Sequence, residues 1–153
     1  MSPLSPSHKN VLRVRYGLFS LALLALATVA GLVAGDQTSL SPSYLYVPAL
    51  VIALGVTIFI PGRRYRAWGY RNSEDELHIQ QGIWVRSRTI IPFGRVQHID
   101  VSQGPVERHY GVATLTLHTA GTRSAAVALP GLDLDQAEQM RDGIRSKIRQ
   151  DLA

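Results

Sequence analysis

Two stretches of this chain carry no charge at all: Tyr16–Ala34 (YGLFSLALLALATVAGLVA) over 19 positions and Tyr44–Ile60 (YLYVPALVIALGVTIFI) over 17. At about 1.5 Å of helical rise per residue they would extend roughly 28 and 25 Å, near the thickness of a bilayer's hydrocarbon core. Both read as transmembrane helices, 16–34 and 44–60. The polar, turn-forming loop between them (residues 35–43, GDQTSLSPS) is short, so the two helices form an antiparallel hairpin. Pro48 is expected in the first turn of the second helix, where a missing N–H breaks no helical bond. A cleaved leader is the weaker reading of the first run, whose apolar core exceeds the usual ~7–15 residues. The best small-residue cleavage pattern, Thr28–Ala30, also falls inside it.

Beyond a basic linker (61–66) the pattern changes to short alternations separated by Gly and Pro. Strands are expected over 68–72, 76–80, 83–91, 95–103, 111–120 and 124–130. In the second of these Leu77 and Ile79 share one face. In the third, Ile83, Val85, Ser87 and Thr89 oppose Trp84, Arg86, Arg88 and Ile90. Gly104-Pro105 reads as a turn, and Gly111 as relief for a bend. The chain then turns helical: Leu134, Ala137, Met140, Ile144 and Ile148 recur at spacings of three and four. Asp133 with Gln136 makes a capping-box pattern at its start. Gly143 in mid-helix suggests a close packing contact. The expected fold is α+β: two transmembrane helices, then a strongly bent antiparallel β-sheet closed by a C-terminal α-helix.

Charge adds an orientation to this picture. The formal net charge is +5, but it is unevenly placed. Lys9, Arg13, Arg15, Arg63, Arg64, Arg66 and Arg71 face the single acid Asp36 in the first 71 residues, while the remainder holds nine basic and ten acidic residues. The basic residues flank the outer ends of the hairpin, and the connecting loop has none. By the positive-inside rule residues 1–15 and the domain at 67–153 are cytoplasmic, with the loop at 35–43 outside. Tyr16, Tyr44, Tyr46, Tyr65 and Trp68 stand where an interfacial aromatic belt would. No basic stripe with interleaved aromatics occurs in the polar part, which argues against nucleic acid. The chain has no cysteine, so neither a disulfide nor a thiolate zinc site is possible.

Four segments carry a resemblance that covers the chain end to end: Ile91–Val101 (IPFGRVQHIDV), Gln103–Gly111 (QGPVERHYG), Ala113–Gly121 (ATLTLHTAG) and Pro130–Asp133 (PGLD). In these it resembles the bacterial pleckstrin-homology-like membrane proteins of the YdbS-like group. The resemblance implies a pleckstrin-like bent sheet with a capping helix on the cytoplasmic face of a bacterial inner membrane, and no enzymatic activity. It also implies a partner, since such proteins often occur beside a larger membrane protein with repeated domains of the same kind.

Candidate chemistry is sparse. His98 and Asp100 share a strand face, and His118 on the next strand could lie opposite His98, a set that would suit zinc. No local His-rich signature accompanies them, and hydrogen-bonded surface histidines are the simpler reading. No nucleophile elbow, phosphate loop or paired-carboxylate motif is present. Asp100 and Glu107 are expected to pair with the nearby Arg95 and Arg108. No cofactor and no small-molecule substrate is evident. Two surfaces remain as candidates. Arg95, Gln97, Gln103, Glu107, Arg108 and His109 would form a polar edge for a protein partner, either a second domain of this kind or another copy. Arg63, Arg64, Arg66, Arg86 and Arg88 would meet anionic membrane lipid, although the Glu74-Asp75-Glu76 turn would repel a phosphate.

Overall fold

The computed structural model describes residues 1–35, 43–120 and 126–151. The chain divides into two compact units, Leu12–Arg63 and the combination of Met1–Val11 with Arg64–Ala153. The loop expected outside the membrane lies almost wholly beyond the described residues, as do the first two positions expected in the last strand.

The first unit is a pair of helices. Helix α1 runs Pro6–Gly35, 30 residues, and α2 runs Ser43–Arg66, 24 residues. Both extend past the uncharged runs. The stretch 61–66, expected as a linker, continues α2, and Pro48 falls inside the helix rather than in its first turn. Ser20 meets Ala53 and Thr57, and Gly31 faces Tyr46, so contacts run in opposite directions along the two helices. Ser20 Oγ donates to the Ala53 carbonyl at 3.2 Å and lies 2.9 Å from Thr57 Oγ1. Small hydroxyl residues of this kind join helices where lipid supplies no hydrophobic drive between them. Leu18, Phe19, Leu21, Leu26, Leu32, Val51, Ile52, Leu54, Ile58 and Phe59 are all exposed. Their exposure fits a hairpin solvated by lipid tails.

The second unit is two three-stranded antiparallel sheets and a helix. The first sheet has β1 (Gly69–Asn72), β2 (Glu76–Gln81) and β3 (Ser87–Pro92) in that order. The second has β4 (Val96–Ser102), β5 (Val112–Thr119) and β6 (Ala126–Asp133). A 3-10 turn at Phe93–Arg95 joins the sheets. Helix α4, Leu134–Asp151, follows the last strand directly. Leu77, Ile79, Ile91, Phe93, Leu115, Leu117, Leu129 and Leu132 pack between the sheets. From α4 the core receives Ala137, Met140 and Ile144, with Leu134 and Ile148 at its margin, so the expected apolar stripe is the buried one.

Three local expectations fail for identifiable reasons. Residues 83–86 form a bend instead of the start of a strand, because Gly82 turns the chain with φ +119° and pairing resumes only at Ser87↔Gln81. Gly104-Pro105 opens a short helix, α3 (Pro105–His109), instead of a tight turn: proline suits the first helical position and Glu107 caps the start. Gly143 has nothing within 4 Å of where a Cβ would stand, so no close contact explains it. Gly111, by contrast, does sit at φ +68°, and its carbonyl accepts the Leu134 N–H.

Two register shifts shape the second sheet. Val96 pairs with Thr119 and His98 with His118, leaving Gln97 as a bulge. The extra residue reverses the facing of the strand, so Val96 is buried although Ile99 and Val101 also point inward. A second shift places an extra residue in β6, at Pro130-Gly131, where Gly131 takes φ +74°. A bulge tolerates proline, which lacks the donor a regular ladder would need.

Candidate functional site

The Pro130-Gly131 bulge has a use. It receives the N-terminal arm, residues 1–8, part of the segment 1–15 that the sequence marked only as cytoplasmic. The Ser5 N–H donates to the Gly131 carbonyl at 2.8 Å, and Ser5 Oγ donates to Asp133 Oδ1 at 2.7 Å. His8 is buried with its ring against Gly131, where an added Cβ would lie 2.7 Å from Nδ1. Only glycine fits there, for space as well as for φ. Ser2 forms an antiparallel bridge with Tyr70, extending the β1 edge, and Leu4 enters the core. The Tyr65 hydroxyl donates to the Leu4 carbonyl at 2.8 Å. The PGLD segment is thus a docking corner for the arm. The bridge to Ser2 also protects an edge that would otherwise present unpaired backbone groups.

The expected capping box at α4 is diverted into the same corner. Asp133 accepts from Ser5, and Gln136 Nε2 donates to the Tyr70 hydroxyl oxygen at 2.8 Å. Burial pushes the Tyr70 phenol above its ordinary pKa; the Gln136 bond works against the rise, and the charge of Asp133 adds to it.

The six residues expected to form one polar edge are not brought together. Arg95 and Gln97 lie at the end of the sheet where Val96 meets Thr119, while Arg108 and His109 lie beyond the other end, where Ser102 meets Thr114. Six residues of strand separate these ends, about 20 Å at ~3.3 Å per residue. Gln103 and Glu107 are occupied internally. Gln103 Nε2 donates to the Val112 carbonyl at 2.8 Å, and Glu107 accepts from the Gly104 N–H at 2.8 Å and from the Thr114 hydroxyl at 3.0 Å. These contacts hold α3 against β5. Arg108 and His109 stay exposed, with His109 edge-on to Tyr110 at 5.0 Å.

His98 and His118 do face each other across the strands, with ring centroids 5.8 Å apart. Both direct Nε2 at Asp100, at 2.8 and 3.1 Å, so the carboxylate is engaged by histidines and not by Arg95. Each imidazole thus has its Nε2 committed to the aspartate. Among the described residues no group of three or more His, Cys, Asp or Glu is placed to hold a metal ion.

The arginines expected at lipid divide similarly. Arg63, Arg64 and Arg66 are exposed in the last turns of α2. Arg88 lies on the outward face of β3 beside the exposed Ile90. Arg86 belongs to the preceding bend and so does not share a strand face with Arg88. The same bend displays Trp84 and Val85, 90% and 80% exposed, which alternation had placed within a strand.

A hairpin of two lipid-compatible helices bearing a two-sheet, one-helix domain is the architecture of a membrane-anchored PH-like domain. The chain belongs to the bacterial PH domain family, whose pattern it matches over residues 17–148. It is 43% identical over 95 residues to the UPF0699 transmembrane protein YdbS of Bacillus subtilis (strain 168), covering 61% of this chain and 58% of that one. It is 27% identical over 88 residues to the UPF0699 transmembrane protein YdbT of the same organism, covering 57% of this chain and 18% of that one. The chain therefore aligns with less than two thirds of the length of either relative. No solved structure matches it.

Proposed function

We propose that this membrane protein is a non-enzymatic platform: a PH-like domain fixed at the bacterial inner membrane, on the cytoplasmic side, that assembles with a second protein carrying such a domain or with another copy. The observation that carries the reading is the arm. Ser2, Leu4 and Ser5 are built into the folded domain, so both ends of the hairpin lead into one unit. A domain held by two chain segments is stationary, unlike a module recruited from solution, and its exposed surfaces are available to a partner. Likeness to two B. subtilis proteins of one transmembrane group supports a partner of the same kind. The basic flanks support the cytoplasmic placement. Of the polar residues first considered, Arg108 and His109 on α3 and Arg95 with Gln97 at the opposite end are exposed, unlike the internally bonded Gln103 and Glu107, and form two separate partner faces.

The test is recovery of the full-length chain in mild detergent, with mass spectrometry of what accompanies it. A second PH-like membrane protein or a homo-oligomer is expected, and is lost in the Arg108→Ala/His109→Ala or Arg95→Ala variants. A monomer alone, under conditions that preserve other membrane complexes, overturns the reading. An alkaline phosphatase fusion at Ala153 is expected to be inactive; activity there would overturn the cytoplasmic placement.

A second reading, sensing of anionic lipid, is favoured by the exposed Arg64, Arg66, Arg86 and Arg88. It predicts that partner recovery depends on anionic lipid and weakens with salt.

A further inference from the structure

We propose that the β2–β3 loop is a second point of membrane attachment, with Trp84 seated in the headgroup region of the leaflet at which α2 ends. The proposal goes beyond the platform reading and rests only on α2 spanning the membrane.

The loop is constructed, not slack. Gly82 turns at φ +119°, and a Cβ there would collide with the Val85 carbonyl, so the tip closes only on glycine. What it presents is apolar: Ile83, Trp84 and Val85 are 39%, 90% and 80% exposed. The core has no use for them, since Leu77, Ile79 and Ile91 on the flanking strands already fill it. Three consecutive large apolar residues aimed at water are costly unless another apolar medium receives them.

Two observations identify that medium as lipid. The first is position. The loop shares a cleft with Arg64, Ala67 and Trp68, the stretch in which the chain leaves its second span, Tyr46–Arg66. The second is charge. From Leu77 to Ile99 the chain has no acid, and Arg86 and Arg88 follow the tip directly. The acids Glu74, Asp75 and Glu76 stand at the other end of β2, about 17–20 Å away for six residues of strand. The hairpin is thus polarised, with tryptophan and arginine at the end beside Arg64, Ala67 and Trp68 and carboxylates at the other end. Tryptophan favours the membrane–water interface, and arginine can keep its charge among headgroups while its stem lies lower. A protein partner for this tip would have to answer two arginines with acids; an anionic bilayer does so by composition.

The chain has two tryptophans and no cysteine, which makes the test clean. The full-length Trp68→Phe protein, with Trp84 as its one tryptophan, is placed in nanodiscs of phosphatidylcholine mixed with phosphatidylglycerol. Lipids brominated near the top of the acyl chain are expected to quench its emission, which is blue-shifted and protected from iodide. If Trp68→Phe does not fold, the difference between the native chain and Trp84→Phe gives the same reading. Emission typical of water and quenched by iodide overturns the proposal. Protection from iodide without quenching by brominated lipid also overturns it, and assigns the tip to a protein contact. A Leu54→Cys variant carrying a fluorescent label reports on α2 itself. If that label is quenched by lipid and Trp84 is not, the loop proposal alone fails and the span stands.

Discussion

The hydroxyl of Ser5 donates to the carboxylate of Asp133 at 2.7 Å, joining residues 128 positions apart. This bond closes the domain, because it ties the first segment of the chain to the junction of β6 and α4. Ser5→Ala is expected to lower the stability of the domain by about 1.5–3 kcal/mol, the net worth of a hydrogen bond to a charged group. Hydrogen exchange checks it: the amides of Ser2, Ser5 and Tyr70 should exchange faster, while those of β5 stay protected.

Gly131 answers to a different demand, of space and backbone together. Gly131→Ala forces a side chain into φ +74° and into the His8 ring, and is expected to cost about 1–3 kcal/mol. His8→Ala in the same chain removes the collision with the ring, but it leaves the residue 8 Cβ 2.7 Å from the added one and does not touch the backbone strain. The double variant should therefore lose less than the sum of the two single losses, measured as thermal unfolding in one detergent.

Tyr70 makes stability depend on alkaline pH. Its phenol is raised above the ordinary value of 10.0 chiefly by burial, so the folded state holds that proton more tightly than the unfolded one. The resulting stabilisation is complete below pH 10 and is lost as pH rises through the folded-state pKa. Tyr70→Phe should flatten this alkaline decline. At neutral pH it should cost about 1 kcal/mol, because the Gln136 amide loses its acceptor. Unfolding curves for both proteins from neutral to alkaline pH decide the matter.

Neighbouring residues on α3 should behave oppositely. Glu107→Ala frees the Gly104 N–H and the Thr114 hydroxyl, and is expected to destabilise α3 and the start of β5 by about 1–3 kcal/mol. Arg108→Ala should leave stability within about 0.5 kcal/mol, as exposed substitutions do. If Arg108→Ala reduces recovery of a partner while unfolding normally, its role is at an interface. Loss of stability in Arg108→Ala would remove it from that list.

Much of this architecture is legible in the sequence because it is local. Leu77 and Ile79 alternate, Ala137, Met140 and Ile144 recur with a helical period, and the structure buries all five. What could not be read depends on single backbone events or on distant partners. The bulge at Gln97 lets Val96 and Ile99 point the same way, which strict alternation forbids. Gly82 removes four residues from a strand whose side chains suit one. Helical continuation through residues 61–66 follows from the ladder already running in α2, and charge alone does not stop it. The arm is the clearest case. Nothing near Leu4, Ser5 or His8 foretells their burial, because the groups that hold them lie at Tyr65, Tyr70, Gly131 and Asp133. Crowding of polar residues at 95–109 suggested one surface, yet a strand runs between its halves and two of its members are internal struts.

The arm also bears on how the protein is made. Ser5 leaves the ribosome long before Asp133 exists, and α1 and α2 must enter the bilayer in the interval. With both helices inserted, the two segments emerge on one side and can meet; with one crossing, a membrane would stand between them. The Ser5–Asp133 contact is therefore a latch that only a completed double passage can close, and a chain that inserts one helix is left with Leu4 missing from its core and a domain open at one corner.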